Sequence, residues 1–341
     1  MKAQFADRQT TKTPPEGVLA AIGATPLLSI EGIYAKLETV NPTGSIKDRV
    51  ALHLVRKAER RGELKPGGTI IEATSGNTGI ALAMISAVKN YRFVAVMPES
   101  NAVEKQWMMQ RFGAEVVLTP AREGMAGALH RCEQLAQQCP GAWLPRQFRS
   151  RENIAANAQS LGREIVEQTG GLVDIFVAGA GTGATLLGVA QALRRVNPDV
   201  EIVAVEPDES PVLSGGKTRA HGIEGIGEGF IPPLLAENMH LIDRIARVPS
   251  SRAIAMSSRL ARREGLWVGP SSGANVAAAL DLRRRGARVV TVLPDSGERY
   301  LSTMRIDASG QVLQSEVSAA TASVTEKAVL GLQPDISRYR H

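Results

Sequence analysis

The segment from Thr74 to Gly79 (TSGNTG) brings hydroxyl, amide and glycine groups together where an apolar strand pattern turns into a helical one. Glycines let the backbone approach a ligand closely, and the first N–H groups of a helix favour an anion. The segment can therefore bind a carboxylate or a phosphate. A helix N-cap followed by turn glycines needs the same residue types, so both interpretations stay open.

A second glycine-rich loop, from Gly179 to Thr185 (GAGTGAT), also follows a predicted strand and opens a helix. Glycines and threonine hydroxyls at a helix N-terminus can hold a phosphate, because the N–H donors and the helix dipole both favour negative charge. The loop also fits a dinucleotide-binding fingerprint, which would indicate an NAD-dependent enzyme. The residues that fit it are Gly179, Gly181, Ala184 and, at the end of the next strand, Glu206.

Two further segments place polar side chains next to small residues. Lys47 follows a Gly-Ser turn in NPTGSIKDR and precedes a helical pattern, and Ser271 lies in GPSSGAN at another strand-to-helix turn. Most lysines are solvated surface charges, and helix capping explains the serine segment equally well. Neither segment alone indicates a reaction.

Two features of the sequence suggest other chemistry, but each lacks residues that this chemistry requires. Ser214 to Thr218 (SGGKT) is similar to the end of a Walker A loop, but Pro211 stands where the leading glycine is required, which argues against ATP hydrolysis. Cys132 and Cys139 have neither a second cysteine pair nor a nearby histidine. We therefore interpret them as ordinary thiols and predict no metal site.

Length and composition limit the class of protein. The chain has 341 residues, 43% hydrophobic and 22% charged, which excludes a disordered protein and, at roughly 150 residues per domain, predicts two domains. A net charge of +6 is too small to indicate nucleic-acid binding. The start has no secretory apolar core, and the apolar runs are too short to span a bilayer. We therefore expect a soluble, cytoplasmic protein with neither a nucleic-acid nor a membrane partner.

From Thr69 onward, short apolar strands alternate with longer helical patterns, which is typical of parallel sheets covered by helices. One series runs from TIIEATS to MAGALHRCEQLAQQ, and a second contains the strands VDIFVAGA, EIVAVEP and ARVVTVLP. The polar stretch from Trp143 to Asn157 between them is expected to be an irregular domain junction beside a cleft. The predicted fold class is α/β.

Seven segments occur in the order NPTGSIKDR, EATSGNTGIALAM, QF, GAGTGAT, GIGEGFIP, GPSSGA and LPDSGERYLST. In this order they resemble the cysteine synthase (O-acetylserine sulfhydrylase) and cystathionine β-synthase family, over Gly23 to Thr303. The resemblance implies a fold type II enzyme that uses pyridoxal 5'-phosphate (PLP). Such an enzyme is similar to the tryptophan synthase β subunit, with two domains that each contain a mostly parallel twisted sheet flanked by helices.

The resemblance implies roles for single residues. Lys47 would form the Schiff base with PLP and move the substrate α-proton, which requires a desolvated, neutral amine. Ser271 would bond the pyridine nitrogen, and its neutral hydroxyl would favour β-elimination over transamination. Asn77 would contact the 3-hydroxyl of PLP. The residues implied to hold the phosphate, which replace the NAD interpretation, are Gly181, Thr182, Gly183, Ala184 and Thr185. Those implied to bind the substrate carboxylate are Thr74, Ser75, Gly76, Asn77, Thr78 and Gln147.

The resemblance also implies a division of the chain. Residues 13–45 and 150–304 would form a larger cofactor-binding domain, and residues 46–149 a smaller mobile domain that closes over the substrate. An N-terminal arm (1–12) and a C-terminal extension (305–341) would flank them. A homodimer is expected, because the family usually forms one.

The implied reaction is a β-replacement on an activated L-serine, most simply O-acetylserine with sulfide to give cysteine and acetate. O-Phosphoserine as the donor, with Arg219 near its phosphate, is an alternative. Others are serine with homocysteine, as in cystathionine β-synthase, and a different nucleophile such as cyanide or an amine. Outside this class, an NAD-dependent dehydrogenase and a non-catalytic binding relative also stay open.

Overall fold

The computed structural model describes residues 17–306 and 312–314. The expected N-terminal arm (1–12) and most of the C-terminal extension (305–341) lie outside these residues. The strands are β1 (Leu27–Ile30), β2 (Ile33–Leu37), β3 (Thr69–Ala73), β4 (Arg92–Pro98), β5 (Glu115–Thr119), β6 (Ile175–Gly179), β7 (Glu201–Pro207), β8 (Arg244–Val248), β9 (Val289–Leu293), β10 (Met304–Ile306) and β11 (Val312–Gln314).

Six strands form the larger sheet in the order β1-β2-β9-β6-β7-β8, and three form a second sheet in the order β3-β4-β5. Every pairing in both sheets is parallel except that of β1 with β2, and β10 and β11 form a separate antiparallel pair. Parallel strands are buried on both faces, which is why they consist of continuous apolar runs such as VVTVL in β9.

The helices are α1 (Lys47–Arg61), α2 (Asn77–Lys89), α3 (Val103–Arg111), α4 (Gly124–Gln138), α5 (Glu152–Asn157), α6 (Arg163–Thr169), α7 (Ala184–Arg194), α8 (Pro233–Ala236), α9 (Ser250–Glu264) and α10 (Pro270–Asp281). A π-helical turn at residues 158–162 joins α5 to α6. The helices cover both faces of the larger sheet, because alternate residues of its strands belong to two different apolar clusters. For example, Phe176 packs in one cluster and Val177 in the other.

The strands and helices predicted from Thr69 onward are present, and the prediction of an α/β fold is confirmed. The irregular junction expected at Trp143–Asn157 is wrong from Glu152 onward, because residues 152–157 form α5. The polar residues of this segment suggested an irregular junction, but its two asparagines are buried. The Nδ2 groups of Asn153 and Asn157 donate to the backbone carbonyls of Gln147 and Asn153. Strands β1, β2 and β8 were not predicted at all.

This topology brings distant segments together. A loop follows the carboxyl end of each of the strands β3, β6 and β9. After β3 and β6 this loop is short and leads to the N-terminus of a helix. Ligands of open parallel sheets bind at such ends. Within the described residues, no helix is both long enough and apolar enough to cross a membrane.

Candidate functional site

A cleft of about 810 Å³, including its solvent-open part, lies at these strand ends. Most of the side chains and loop residues that the sequence singled out line it. They are Lys47, Ser75, Asn77, Thr78, Gln147, Gly181, Thr182, Gly183, Thr185 and Ser271. Five separate segments of the chain therefore meet in one place.

Lys47 is the first residue of α1 and is partly buried in the cleft wall. Its position is fixed by the backbone, because the neighbouring Ile46 N–H donates to the Pro294 carbonyl at 2.8 Å, just after β9. Burial lowers the pKa of the Lys47 amine, while the negative charges of Glu228 and Asp295 oppose that effect. The amine is therefore easier to deprotonate than a surface lysine, as a nucleophile or base requires.

The loop Gly181–Thr185 forms the N-terminal entry to α7, an eleven-residue helix. A Cβ atom at Gly181 would lie 2.5 Å from the Gly225 carbonyl oxygen, and Gly183 has a φ of 81°, so both positions require glycine. Ala184 does not line the cleft, because its methyl group packs into the apolar core. The backbone N–H groups at the start of α7 and the helix dipole make this loop suited to a phosphate.

Two residues of the loop after β3 shape it without lining the cleft. The Thr74 hydroxyl accepts hydrogen bonds from the N–H groups of Gly76 (3.0 Å) and Gly79 (3.1 Å). Gly76 has a φ of 142°, and the side chain of Lys105 fills the space that a Cβ would need. The remaining polar residues of this loop, Ser75, Asn77 and Thr78, face the cleft.

Gln147 reaches this loop from a distant segment. Thr78 Oγ1 donates to Gln147 Oε1 at 2.6 Å, and Gln147 Nε2 donates to the Ala73 carbonyl at 2.8 Å. The pair sits beside the N-terminus of α2, where an anion is favoured. This arrangement can bind a carboxylate.

Sequence reasoning missed several charged and polar residues of the cleft wall, namely Lys105, Glu228, Asp295 and Tyr300, as well as Arg299 behind it. Four of them lie in GIGEGFIP and LPDSGERYLST, two of the seven segments that carry the family resemblance. Spacing within a motif does not show which side chains face a cleft. No feature of the sequence distinguishes Lys105 from an ordinary surface lysine of α3.

Glu228 places a carboxyl group in the cleft near Lys47. Ser75 Oγ donates to it at 3.4 Å. Burial raises the pKa of Glu228, and the Ser75 hydrogen bond and the positive charges of Lys105 and Lys47 oppose that rise.

Glu206, which fits the acidic position of the dinucleotide-binding fingerprint, has another role in the structure. The Glu206 carboxylate accepts the backbone N–H groups of Leu213 at 2.8 Å and Ser214 at 3.2 Å, and Glu206 does not line the cleft. It stabilises the loop after β7, which argues against the dinucleotide interpretation.

The cleft fits PLP on three counts. It offers a partly buried amine at Lys47 and a backbone cradle at Gly181–Thr185 that a side chain would fill. The Ser271 hydroxyl, on the first turn of α10, supplies a neutral partner for a ring nitrogen.

The family model for pyridoxal-phosphate dependent enzymes matches residues 18–295. The chain belongs to this family. A cysteine synthase from Staphylococcus aureus is 44% identical over 302 residues, which cover 85% of this chain and 96% of that protein. The solved cysteine synthase from Entamoeba histolytica has a TM-score of 0.82 and 37% identity, over 95% of this chain and 99% of that one. A solved O-ureido-L-serine synthase has a TM-score of 0.81 and 40% identity, over 84% and 94% of the two chains.

These similarities confirm the predicted family, the two-domain fold type II class and the use of PLP by an enzyme of this family.

Proposed function

We propose that this enzyme is a cysteine synthase, which converts O-acetyl-L-serine and sulfide into L-cysteine and acetate. One observation carries the proposal: the Lys47 amine, the Gly181–Thr185 loop and the Thr78–Gln147 pair line the same cleft. The cysteine synthases among its relatives support the same reaction.

Each group of residues has a separate task in this proposal. Bound PLP supplies an electron sink that stabilises negative charge at the substrate α-carbon. The Gly181–Thr185 loop holds the cofactor phosphate, and Ser271 and Asn77 hold the ring. Ser75, Thr78 and Gln147 orient the amino-acid carboxylate, which places the α-proton and the leaving group.

Lys47 Nζ attaches the cofactor and then moves the proton. Nζ takes the proton from the α-carbon when acetate leaves, and returns it after the nucleophile has bonded to the β-carbon. Attachment of the cofactor and removal of the α-proton need the unprotonated amine, and partial burial lowers the pKa of Lys47 accordingly. The return step uses the proton that Nζ has gained.

The donor is O-acetylserine rather than O-phosphoserine because, among the described residues, the cleft wall has no cation besides Lys47 and the paired Lys105 that could bind a second phosphate. Arg219, the candidate partner for such a phosphate, is exposed and does not line the cleft. Lys105, which does line it, is already paired with Glu224.

Purified enzyme tests the reaction directly. Cysteine formation is measured with O-acetylserine, O-phosphoserine and serine, each with sulfide. In separate reactions, O-acetylserine is combined with homocysteine, cyanide or an amine, and formation of the corresponding product is measured. We expect kcat/KM to be highest for O-acetylserine with sulfide. Cysteine from O-phosphoserine alone would overturn the donor, and preference for another nucleophile would overturn the product.

The role of Lys47 has its own test. Borohydride treatment of the PLP-loaded protein, followed by peptide mass spectrometry, should find the pyridoxyl group on Lys47. Lys47→Ala should lower kcat by about 1,000-fold or more, whereas Lys65→Ala, which removes an exposed lysine, should leave it unchanged. An unlabelled Lys47 in the PLP-loaded wild type contradicts the assignment.

We also propose that residues 46–149 form the smaller domain, which moves against residues 13–45 and 150–304. The three-stranded sheet falls wholly within the first range and the six-stranded sheet within the others, which supports this division. We further propose a homodimer, which the family resemblance implies, and a cytoplasmic location. Light scattering of the purified protein and cell fractionation test them.

A further inference from the structure

The Asn77 amide is held at both ends by charged side chains. Its Nδ2 donates to Asp295 Oδ2 at 2.6 Å, and its Oδ1 accepts from Arg299 Nη1 at 2.9 Å. A guanidinium can only donate, and a carboxylate can only accept. If the Asn77 amide were rotated by 180°, its NH2 group would face the Arg299 donor and its oxygen would face the Asp295 acceptor. The two neighbours therefore permit a single orientation.

Both charged side chains are built into the protein interior, with exposed fractions of 1% for Asp295 and 0% for Arg299. Arg299 is anchored by backbone carbonyls: Nη1 donates to Gly44 at 3.1 Å and Nη2 to Thr43 at 2.5 Å. The Tyr300 hydroxyl donates to Asp295 Oδ2 at 2.5 Å. Burial and the Asp295 charge raise the pKa of Tyr300, so this hydroxyl keeps its proton and remains a donor.

The protein accommodates Asp295 at a cost. Its second oxygen, Oδ1, is buried and has no hydrogen-bond partner in the described part of the chain. An unpaired buried acceptor costs about 1–3 kcal/mol. Gly269 leaves room for this oxygen, because a Cβ there would lie 2.2 Å from Oδ1. The arrangement is not the most stable one available, which is typical of residues that serve a site.

The clamp formed by Asp295 and Arg299 also lies next to the reactive lysine. Asp295 pairs with Ser45 in a β-bridge, two residues before Lys47, and both Asp295 and Asn77 line the cleft. Asn77 Nδ2 has a second N–H, and the structure gives it no partner among the described residues. This N–H is the amide's remaining donor.

We propose that Asp295 and Arg299 are positioning residues that fix the Asn77 amide so that it offers an N–H, and not its oxygen, to the 3-oxygen of bound PLP. This inference rests on the proposed placement of Asn77 beside that oxygen. A hydrogen bond from a fixed donor stabilises the ionised form of an oxygen over the protonated form. The clamp therefore favours the ionised cofactor.

Asp295→Ala tests the clamp, because it removes the carboxylate oxygen that accepts from Asn77 Nδ2, whereas an asparagine could still present an oxygen there. The readout is the absorbance spectrum of PLP-loaded protein without substrate. We expect the ratio of the long-wavelength band of the ionised cofactor to the short-wavelength band to fall at least threefold. In the Asn77→Ala background the same Asp295→Ala change should lower the ratio much less, because the amide is gone and only the direct effect of the Asp295 charge on Lys47 is lost.

Tyr300→Phe is the matched control. It removes the other hydrogen bond to the same carboxylate oxygen and leaves the Asn77 bond in place, so the ratio should stay close to wild type. If Asp295→Ala does not fold, Asp295→Val, which also has no acceptor, takes its place with the same expected change.

Three results would overturn the inference: an unchanged ratio in Asp295→Ala, an equal fall in the Asn77→Ala background, or a full fall in Tyr300→Phe. None of them depends on turnover. Failure of the clamp is therefore distinguishable from failure of the cysteine synthase proposal, which is tested by product formation in the wild type.

Discussion

Burial and neighbouring charge, rather than residue type, decide what single side chains do in this protein. Lys47 and Lys65 are both lysines, but only Lys47 is packed into a cleft whose surroundings lower its pKa. Glu228 and Asp295 limit that effect by stabilising the charged amine. The reactivity of Lys47 is thus a balance between desolvation and two carboxyl groups.

Glu228→Gln tests this balance. Loss of a nearby negative charge disfavours the protonated amine, so the pKa of Lys47 should fall. The rate of PLP attachment to the apoprotein, measured against pH, should therefore have its midpoint shifted to lower pH. Glu237→Gln, at an exposed carboxylate, is the control and should leave the midpoint in place. A shift to higher pH in Glu228→Gln would contradict the balance.

Glu72 of β3 makes a second residue-level prediction. Burial raises its pKa to about 8, against the opposing effect of the backbone N–H groups of Gln147 and Arg146. The unfolded chain releases this proton at the ordinary value of 4.5, so the stability of the wild type should fall as pH rises from about 4.5 to about 8.

Glu72→Gln mimics the protonated form at every pH. Relative to the wild type, the variant should gain stability between pH 5 and pH 9, with each unit of pKa difference corresponding to about 1.4 kcal/mol. Denaturant unfolding at both pH values measures the gain. Glu133→Gln, whose carboxylate is about half exposed, should show no such trend. A pH-independent difference for Glu72→Gln would refute the raised pKa.

At the scale of elements, ion pairs attach α1, which begins with Lys47, to the larger sheet. Glu164 of α6 binds Arg49 of α1 at 2.6 Å and Lys36 of β2 at 2.7 Å. Arg49 also binds Glu38, which follows β2, at 2.7 Å. Burial alone would raise the pKa of Glu164, but the hydrogen bonds from Arg49 and Lys36 lower it to about 2.

Glu164→Gln should lower the free energy of unfolding by about 3–5 kcal/mol at neutral pH, because it leaves the buried Lys36 without its carboxylate partner and Arg49 with Glu38 alone. The carboxylate's contribution is present above about pH 4.5 and is lost as pH falls toward 2, so the difference from wild type should shrink over that range. Glu167→Gln, at an exposed pair on the same helix, should change stability by about 0.5 kcal/mol or less. Equal losses in the two variants would contradict this account.

At the scale of the whole molecule, α3 is fastened to segments of the proposed larger domain. Glu104 accepts hydrogen bonds from Ser302 N and Oγ, both at 2.7 Å. The next residue, Lys105, pairs with Glu224, and its Nζ lies 4.7 Å from the centre of the Tyr300 ring. These contacts connect the segment that carries the three-stranded sheet to segments of the other range across the cleft.

Glu224→Gln should weaken this connection. We expect KM for O-acetylserine to rise by roughly 3–10-fold, equivalent to about 1 kcal/mol, with a smaller change in kcat. Small-angle scattering should also show a larger radius of gyration than wild type when a substrate analogue is bound. Glu237→Gln is the matched surface control. Unchanged KM and equal scattering profiles would count against closure through this pair.

The sequence alone determined the family, the alternation of strands and helices from Thr69, and most of the segments that line the cleft. Apolar periodicity indicates buried elements, and glycines next to hydroxyls at strand ends indicate loops that approach a ligand. Sequence reasoning failed where polar residues are buried. The asparagines of α5 looked like a junction, and Lys105 looked like a surface charge.

Only the tertiary structure decided how the wall of the cleft is built. It separated Asn77 and Ser75, which line the cleft, from Thr74 and Gly76, which shape the loop. It also placed Asp295 against Asn77, although 218 positions separate them in the chain. Such contacts depend on which strand ends become neighbours in the fold. The spacing of residues along the sequence does not show this. Local periodicity fixes the elements, whereas packing between remote elements fixes the electrostatics of the site.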